Sequence, residues 1–280
     1  MKSQTLKTLL LLFTFINVYS QDITISGIIK DSLGSPLQYV NVGILNKSIG
    51  TVSNYEGSFS LIIDPSNLLD TLKVSRLGYK SETVLLNESK NIFEITLFEK
   101  IEALEEVQLS SKKLKQYVKG KDKEKTKLQV IFSNTYQKNS SLGTEIGRKF
   151  KLGDKKPSVL KEFKFYIKEN DYKFSKFRIN IYSLKKGLPF KRLHLEDIFT
   201  SVQDSYTGEV IVDLDSFDII VQQDIIIAVE WIEKSDDGEV LNMPFIAPSI
   251  GSTHYYKSGS QNKWGKMGGF SSSLLLTYEQ

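Results

Sequence analysis

The stretch from Gly27 to Tyr79 decides the fold, and it reads GIIKDSLGSPLQYVNVGILNKSIGTVSNYEGSFSLIIDPSNLLDTLKVSRLGY. Glycine, proline and asparagine stand between short runs that are rich in β-branched residues, which is the pattern of strands joined by tight turns. The segment Ile23–Ile29, which overlaps the start of this stretch, alternates well enough for a strand with one buried face. The turn residues at 31–36 must end that strand.

The middle of the stretch predicts a hairpin. Asn54 and Gly57 tolerate positive φ where bulkier residues do not, so we expect a tight turn between a strand from Gly50 and a return strand. On the return strand, Phe59, Leu61 and Ile63 should share one face. Further strand patterns are Val40–Ile44, Thr71–Arg76, Lys80–Leu86 and Asn91–Leu97. About seven strands in so short a segment is the density of an antiparallel sandwich.

With these positions, residues 22–99 resemble the carboxypeptidase-regulatory-like domain, a transthyretin-like (prealbumin-like) β-sandwich. The resemblance implies a module common in secreted and outer-membrane proteins of Bacteroidetes-type bacteria, not itself catalytic, that serves as an accessory or N-terminal extension. Asn54 stands where many relatives carry Asp, a change that should leave the turn intact. The matching residues are Gly27, Asp31, Gly34, Pro36, Leu37, Val40, Asn41, Val42, Gly50, Thr51, Asn54, Gly57, Phe59, Gly78 and Tyr79.

The first twenty residues predict export. Lys2 and Lys7 form a basic start and Leu9–Ile16 an apolar core, so we expect a signal peptide at 1–20, cleaved after Ser20. A retained anchor is the alternative, but the apolar run is shorter than the ~20 residues that cross a bilayer. The chain has no cysteine, which excludes disulfides and a lipid anchor on cysteine. We therefore expect a protein of the periplasm, the outer-membrane surface or the extracellular space, with no transmembrane span after cleavage.

Positive charge is distributed unevenly along the sequence. The net charge is +4, yet residues 110–127 hold eight lysines against Asp122 and Glu124, and the leader adds two more positive charges. The rest of the chain is therefore acidic by four charges, and neither folded unit has the balance of a nucleic-acid binder. We assign residues 21–99 to the first sandwich, 100–127 to a lysine-rich linker and 128–280 to a second unit.

The lysine-rich linker has two interpretations. It is a solvated connector that its charges keep extended, or it is a segment that contacts an anionic surface, where each lysine contributes ~1 kcal/mol. At the start of this region, Leu104–Val107 resembles the hinge that joins this type of domain to the plug of TonB-dependent receptors. We expect no receptor activity to carry over, because no plug sequence follows.

The second unit also has strand patterns and lacks long helical periodicity. Ile225–Trp231 is continuous enough to be a central strand covered on both faces, with Trp231 in the core. One helical turn fits Leu193–Phe199. Alternating or apolar strand patterns cover Val159–Ile167, Phe177–Tyr182 and Val210–Leu214. We predict a jelly-roll-like β-sandwich, which makes the whole chain all-β.

Residues 161–231 are similar to regions that accompany the first domain in secreted proteins of the same bacteria. This resemblance implies no activity. The residues that carry it are Phe163, Phe165, Tyr166, Ile167, Phe177–Tyr182, Gly187, Pro189, Val229, Glu230 and Trp231.

Few residues offer catalytic chemistry. A zinc carboxypeptidase needs a His-x-x-Glu pair and a distant histidine, and the chain has only His194 and His254, neither with that spacing. No Gly-x-Ser-x-Gly elbow indicates a serine hydrolase. We predict no catalytic residue and no cofactor.

Two groups of acidic residues are rich in oxygen ligands, but we predict no metal site at either. Asp213, Asp215 and Asp218 cluster beside a strand end, and residues 236–239 read Asp-Asp-Gly-Glu. Neither group has the spacing of an EF-hand. Asp-Asp-Gly between two strands is explained by turn geometry alone.

The tail from Pro244 to Phe270 is the best candidate for ligand recognition. It places aromatic residues among Gly, Ser, Asn and Lys, a composition suited to a loop that stacks on sugar rings or docks a partner. The alternative is that some of these aromatics are core residues. The candidate ligand-binding residues are Tyr255, Tyr256, Trp264 and Phe270.

One candidate modification site lies in the first unit. The tripeptides that start at Asp31 and Asp70 resemble the short O-glycosylation acceptor of these bacteria, in which Asp precedes Ser or Thr and an apolar residue. Ser32 stands in a predicted turn and Thr71 opens a predicted strand. We therefore predict glycosylation at Ser32.

The sequence thus predicts an exported, non-catalytic accessory or binding protein of the cell envelope that recognises a glycan or a protein. One alternative is an envelope hydrolase whose catalytic residues lie unrecognised in the second unit. The other is a structural component of an outer-membrane complex.

Overall fold

A computed structural model of the protein describes residues 21–100, 114–122, 125–133, 138–139 and 141–280. Within these ranges the regular secondary structure is almost entirely β-strand, arranged in two sandwiches, which confirms the all-β prediction. The predicted signal peptide and the segment Leu104–Val107 lie outside the described residues. In the described part of the chain, no helix is both long and apolar enough to span a bilayer.

The first unit, residues 21–100, is one sandwich whose strands match the predicted segments. Its sheets have the orders β4-β1-β7 and β3-β2-β5-β6. The described strands are β1 Ile23–Asp31, β2 Asn41–Ile44, β3 Gly50–Val52, β4 Ser58–Ile63, β5 Thr71–Ser75, β6 Glu82–Leu85 and β7 Ile92–Leu97. One pairing departs from the antiparallel prediction, because β1 and β7 run parallel with Ser26 opposite Ile92.

The core of the first unit lies between these two sheets. As predicted, Phe59, Leu61 and Ile63 share a buried face of β4. They pack with residues such as Ile29 and Val42 from β1 and β2. Each such side chain contributes roughly 1.5–3 kcal/mol when it is fully buried, so this face holds the sandwich together without disulfides.

The second unit, residues 114–280, has three sheets. The largest runs β14-β13-β18-β10-β20-β21, with β15 also paired to β13; the next runs β16-β11-β23-β8, with β17 on β11; the third runs β12-β19-β22, with β9 on β19. The described strands are β8 Gln116–Lys121, β9 Leu128–Ile131, β10 Glu145–Phe150, β11 Ser158–Ile167, β12 Glu169–Asn170, β13 Phe174–Lys185, β14 Leu188–Arg192, β15 Ile198–Gln203, β16 Gly208–Asp213, β17 Ile220–Val221, β18 Ile225–Lys234, β19 Leu241–Ile246, β20 Thr253–Lys257, β21 Gly265–Gly268, β22 Ser271–Ser272 and β23 Leu274–Glu279. A short 3₁₀ turn occupies Asp215–Phe217 in this unit, and another occupies Pro65–Asn67 in the first unit.

The core of the second unit lies between the two larger sheets. It is centred on aromatic side chains, with Phe163 and Phe165 from β11 facing Phe177 from β13. Strand β18 is central, as predicted, because it pairs with β13 on one side and β10 on the other. Trp231 is 1% exposed, so its predicted place in the core is confirmed.

Two segments of the second unit differ from their predictions. The segment Leu193–Phe199 holds no helical turn, since Ile198 starts β15 and is fully buried against the core. Part of the predicted lysine-rich linker, Gln116–Lys121, is the strand β8, which pairs with β23 at the edge of its sheet. Lysines suit such an edge because they discourage pairing with other chains.

A loop of the second unit docks on the first unit. The Ser260 hydroxyl lies 2.6 Å from the carbonyl oxygen of Val42 and 2.9 Å from that of Thr51. Gln261 Nε2 donates to the carbonyl oxygen of Asn41 at 3.0 Å. The contact is close because β3 presents a glycine: a Cβ on Gly50 would lie 2.6 Å from Ser260 Oγ.

Tyr39 makes a second contact between the units. It has the left-handed φ of 57°, and its carbonyl oxygen accepts a hydrogen bond from the guanidinium of Arg178 at 2.6 Å. Its hydroxyl donates to Glu233 Oε2 at 2.6 Å. The ring is buried with Val52 of the first unit and Ile232 of the second. The two sandwiches therefore share a small apolar core of their own.

Candidate functional site

A cavity of about 480 Å³ lies where the two sandwiches meet. The first unit contributes β5 and the turn that follows it, including Arg76 and Tyr79. The second unit contributes the ends of β13, β14 and β20 and the loop around Ser260. Ligand sites commonly occupy clefts of this size between domains, which makes this cavity the candidate functional site.

The charge of the cavity wall is strongly one-sided. None of the described residues that line it is Asp or Glu. The cationic lining residues are Lys73, Arg76, Lys100, Lys191, Arg192 and Lys257. A cleft lined by charges of one sign focuses the electrostatic field and attracts ligands of the opposite charge.

Two of these cations are fixed by a buried pair of carboxylates behind the wall. Glu145 and Glu230 are fully buried on β10 and β18. Lys257 forms an ion pair with Glu145, and an Arg192 nitrogen lies 3.7 Å from Glu230. Asn180 Nδ2 donates to Glu230 at 2.7 Å and to Glu145 at 3.1 Å. The two carboxylates thus hold the base of the cavity in one arrangement.

Glu230 stays ionised in this setting. Burial acts to raise its pKa, but the nearby charges of Arg178, Lys257 and Arg192 outweigh burial and hold the pKa below its usual value. Arg178 lies 3.4 Å from Glu230 and is itself fully buried. Burial acts to lower the pKa of Arg192, but neighbouring groups that include Glu230 and Glu145 outweigh burial and raise it, so this cation of the wall stays charged.

Three other lining cations have no such partner. Lys73, Arg76 and Lys191 form no ion pair with any described carboxylate, and Arg76 is placed 5.4 Å over the ring of Tyr79. The buried Arg76 Nε atom has no hydrogen-bond partner among the described residues. The same holds for Oδ1 of Asn41, a side chain only 4% exposed. Both residues line the cavity, and these two atoms are left without a hydrogen-bond partner from the described residues.

Aromatic side chains complete the wall. Trp264 is half-buried and meets the ring of Tyr182 edge-on, at 5.6 Å between centroids. Phe190 is 60% exposed at the rim. Of the four residues predicted to bind ligand, Trp264 is the one that lines this cavity.

The other three predicted residues lie outside this cavity and on two faces of the sheet, because the tail folds into strands instead of one loop. Tyr255 and Tyr256 are neighbours in β20, so they point to opposite faces of the sheet. Tyr255 is 3% exposed and donates to the carbonyl oxygen of Gly187 at 3.2 Å, which makes it a core residue beneath Trp264.

Tyr256 and Phe270 lie on the far side of that sheet. Tyr256 stacks on His254, and both line a second cavity of about 280 Å³ with Phe245 and Met267. Phe270 stacks on Phe245 at 5.4 Å. The four residues therefore do not form one binding surface, and their role in ligand binding stays a prediction.

The two histidines are buried and neutral. Burial lowers the pKa of His254 to about 4, and burial together with the charge of Arg192 lowers that of His194 to about 4. Nδ1 of His254 is 3.1 Å from Ser272 Oγ, and Nδ1 of His194 is 2.7 Å from the carbonyl oxygen of Glu196. Within the described residues, no three His, Asp or Glu side chains are placed to hold a metal ion.

The acidic clusters have local roles. Asp213 accepts a hydrogen bond from the backbone N–H of Asp215, which pairs with Lys161 at 2.6 Å. Asp237 lies in the turn after β18, and hydrogen bonds from Ser235 and Lys173 lower its pKa to about 2. Turn geometry therefore explains these carboxylates, as the sequence indicated for the Asp-Asp-Gly turn.

Ser32 lies exposed in the turn after β1. The turn is fixed by Asp31 Oδ1, which accepts from the backbone N–H groups of Leu33 and Ser35 at 2.9 and 2.8 Å. The Ser32 hydroxyl is accessible to a modifying enzyme. Glycosylation at Ser32 stays a prediction.

The sequence did not point to most of the cavity wall. Arg76, Lys191 and Arg192 stand in no motif, and the units that carry them are far apart in the chain. One signal was present: Asn41 is a polar residue between two apolar ones in a predicted strand, and such a side chain needs a reason to be buried.

Comparison with known proteins bears on the first unit. Residues 25–109 match the model of the CarboxypepD_reg-like domain family. Over 96 residues the chain is 31% identical to the TonB-dependent receptor SusC of Bacteroides thetaiotaomicron. That match covers 34% of this chain but only 9% of the receptor, so the chain spans a small part of its relative's length.

Two solved structures show weak similarity over longer stretches. The cysteine protease and lectin-like domains of Cwp84, a surface layer associated protein of Clostridium difficile, match at 13% identity and a TM-score of 0.36, covering 49% of this chain and 32% of that one. The clostridial cysteine protease Cwp84 after propeptide cleavage matches at 11% identity and a TM-score of 0.39, covering 86% and 65%. Similarity this weak carries no argument about function.

The family match covers strands β1 to β7 and the glycine and asparagine turns between them. It agrees with the resemblance that the sequence itself shows at those positions. Residues 25–109 of this chain are a CarboxypepD_reg-like domain.

Proposed function

We propose that the protein is an exported, non-catalytic binding module of the cell envelope that binds a saccharide in the cavity between its two sandwiches. The observation that carries this proposal is the cavity itself. It combines aromatic surface, from Trp264 and Phe190, with buried polar atoms that lack partners, on Asn41 and Arg76. Saccharides need both kinds of contact, since their ring faces are apolar and their hydroxyls form hydrogen bonds.

The relatives support the location. The first unit is similar to part of a TonB-dependent receptor, a class of protein that works at the bacterial envelope. The non-catalytic character is supported by the surroundings of the histidines. Each has its Nδ1 atom in contact with a hydroxyl or a carbonyl oxygen, and neither is paired with a described carboxylate.

The proposal is tested by screening the mature protein on an array of immobilised bacterial and plant oligosaccharides, followed by calorimetry on the ligands that bind. Phe190→Ala should weaken binding by about tenfold, the size of one lost aromatic contact. Phe190 is mostly exposed, so this change should leave the fold intact. Tyr55→Ala is the matched control, because Tyr55 is 72% exposed and lies outside the cavity.

Two results would contradict the proposal. One is an array without any bound oligosaccharide, and the other is binding that Phe190→Ala and Tyr55→Ala change equally. Mass spectrometry of the ligand after incubation separates binding from hydrolysis. Intact ligand is expected, and shortened ligand would favour the predicted alternative of an envelope hydrolase.

A further inference from the structure

We infer that the ligand of this cavity is an acidic saccharide, one that carries carboxylate or sulfate groups. The inference rests on the proposed function and adds the chemical class of the ligand. It is drawn from the balance of charge at the wall, from the atoms there that lack partners, and from the position of the aromatic rings.

The buried charges of the second unit are balanced among themselves. Behind the wall, Glu145 and Glu230 offset charge that the second unit itself supplies through Lys257, Arg192 and Arg178. Arg178 also has its own acidic partner, since its Nε atom lies 3.2 Å from an Asp197 oxygen. Three cations and three carboxylates therefore offset one another within the second unit.

The surplus lies at the cavity surface. Lys73 and Arg76 reach it from the first unit and Lys191 from the second, and none of the three pairs with a described carboxylate. They come from both units, so a ligand in the cavity meets unpaired positive charge from each of them. A polyanion with charges spread along its length suits this arrangement better than a single small anion does.

The groups that lack partners match the two polar functions of an acidic sugar. The guanidinium of Arg76 has a buried Nε–H without an acceptor, and guanidinium binds carboxylate and sulfate through paired hydrogen bonds. Asn41 Oδ1 is a buried acceptor without a donor, and a sugar hydroxyl supplies one. The unpaired groups of the cavity therefore call for two partners: an anion for Arg76 and a hydroxyl donor for Asn41.

The aromatic side chains favour a saccharide over an inorganic anion. Trp264 and Phe190 line the same cavity as the cations, where they present apolar surface. An inorganic sulfate or phosphate gains nothing from such rings, whereas a pyranose stacks its C–H face on them. The cavity, about 480 Å³, also exceeds what one tetrahedral anion fills.

The test uses two pairs of oligosaccharides that share a sugar backbone, each with an acidic member and a neutral one. The pairs are oligogalacturonate with its methyl ester, and chondroitin sulfate fragments with their desulfated, esterified forms. The mature protein should bind the acidic member of at least one pair about tenfold or more tightly than its neutral partner, a difference worth one charge-assisted hydrogen bond. Raising NaCl from about 50 to about 500 mM should weaken that binding.

A charge-matched pair of variants locates the effect. Lys73→Gln combined with Arg76→Gln should weaken binding of the acidic member by tenfold or more. Lys155→Gln combined with Lys156→Gln removes the same net charge from exposed positions outside the cavity and should change the affinity little.

Each contrary outcome has a distinct meaning. Equal affinity for both members of each pair, lost in Phe190→Ala, overturns the acidic class and leaves the proposed function standing. Acidic binding that the Lys73/Arg76 variant leaves unchanged also overturns the inference. Competition by inorganic sulfate at the affinity of the oligosaccharide would reduce the cavity to a simple anion site. An array without any bound oligosaccharide overturns the inference and the proposed function together.

Discussion

Glu230 is the buried carboxylate that holds Arg192 and Arg178 at the base of the cavity. It lies in the middle of an apolar strand, 0% exposed, with Arg178 and Arg192 on its carboxylate. An ion pair at such depth stabilises the fold only modestly, since desolvation offsets much of the attraction. Removing one partner has a much larger effect because the others remain buried and charged.

Glu230→Gln should therefore lower the free energy of unfolding by about 3–5 kcal/mol. The glutamine fills the same space, so the loss reports the uncompensated charge of Arg178 and Arg192. Urea denaturation at neutral pH measures it. The matched control is Glu94→Gln, which breaks the exposed pair with Lys30 and should change stability little. A Glu230→Gln protein as stable as the wild type would show that the network does not hold the cavity wall.

For single residues, the sequence predicts which strand or core a side chain belongs to better than it predicts the side chain's ion-pair partners. The apolar run around Glu230 correctly indicated a central strand, and Trp231 is in the core as expected. The same run cannot show that the carboxylate meets Arg192 and Lys257, because those residues approach through sheet pairing and packing. The aromatic character of Tyr255 predicts ligand contact, but strand alternation turns its side chain into the core.

At the scale of elements, β8 shows how composition can hide a strand. Lysines interrupt its alternation, so the segment has the composition of a solvated linker, yet the structure pairs it with β23 from Gln116 to Lys121. Strand β4 spans the segment that its clean alternation predicts, whereas β13 contains the predicted Phe177–Tyr182 and extends three residues further at each end. The difference is that an edge strand buries little and therefore needs few apolar residues.

Gly120→Ala tests whether β8 is part of the sheet in solution. Gly120 has φ of 136°, and a Cβ there would lie 2.1 Å from the carbonyl oxygen of Leu274. The substitution should lower the free energy of unfolding by about 1–3 kcal/mol. Hydrogen exchange should show lost protection in the amides of Gln116–Lys121.

The control for this change is Gly268→Ala, where an added Cβ meets nothing within 4 Å. It should leave both stability and exchange close to the wild type. Unprotected β8 amides in the wild-type protein would contradict the pairing. In that case, the prediction of a mobile, lysine-rich contact with an anionic surface would gain weight.

At the scale of the whole molecule, the two sandwiches are joined by buried contacts. The loop carrying Ser260 and Gln261 bonds to β2 and β3, and Tyr39 bonds to Arg178 and Glu233. Most of these bonds reach backbone carbonyl oxygens of the first unit, so they fix the two units to each other without depending on exposed side chains. We therefore expect the units to unfold together.

The wild-type protein should show one unfolding transition, with the same midpoint by tryptophan fluorescence and by far-ultraviolet circular dichroism. Ser260→Ala combined with Gln261→Ala should lower stability by roughly 2–4 kcal/mol and separate the transition into two. Asn262→Ala with Lys263→Ala, in the same loop but without a described bond to the first unit, is the control. Two transitions in the wild type would contradict the joint unfolding.

The cavity is the feature that the sequence could least predict. Each sandwich was inferred from local patterns, with turns at Asn54 and Gly57 and alternation along β13. The cavity exists only where the sandwiches meet, and the bond from Ser260 to Val42 joins residues 218 positions apart. Single-sequence patterns extend over one element and its neighbours, so they carry no information on a contact at that range.

That separation along the chain also sets an order of events. A protein exported from its N-terminus can complete the first sandwich, whose strand pairings all lie within residues 21–100, long before the residues of the docking loop follow. Binding competence then depends on the last segments to arrive, because Lys257, Ser260 and Trp264 supply one wall of the cavity. If the protein is exported and binds a ligand in this cavity as proposed, a partly translocated chain carries a folded first sandwich without a complete site. Binding then begins only when both walls are in place.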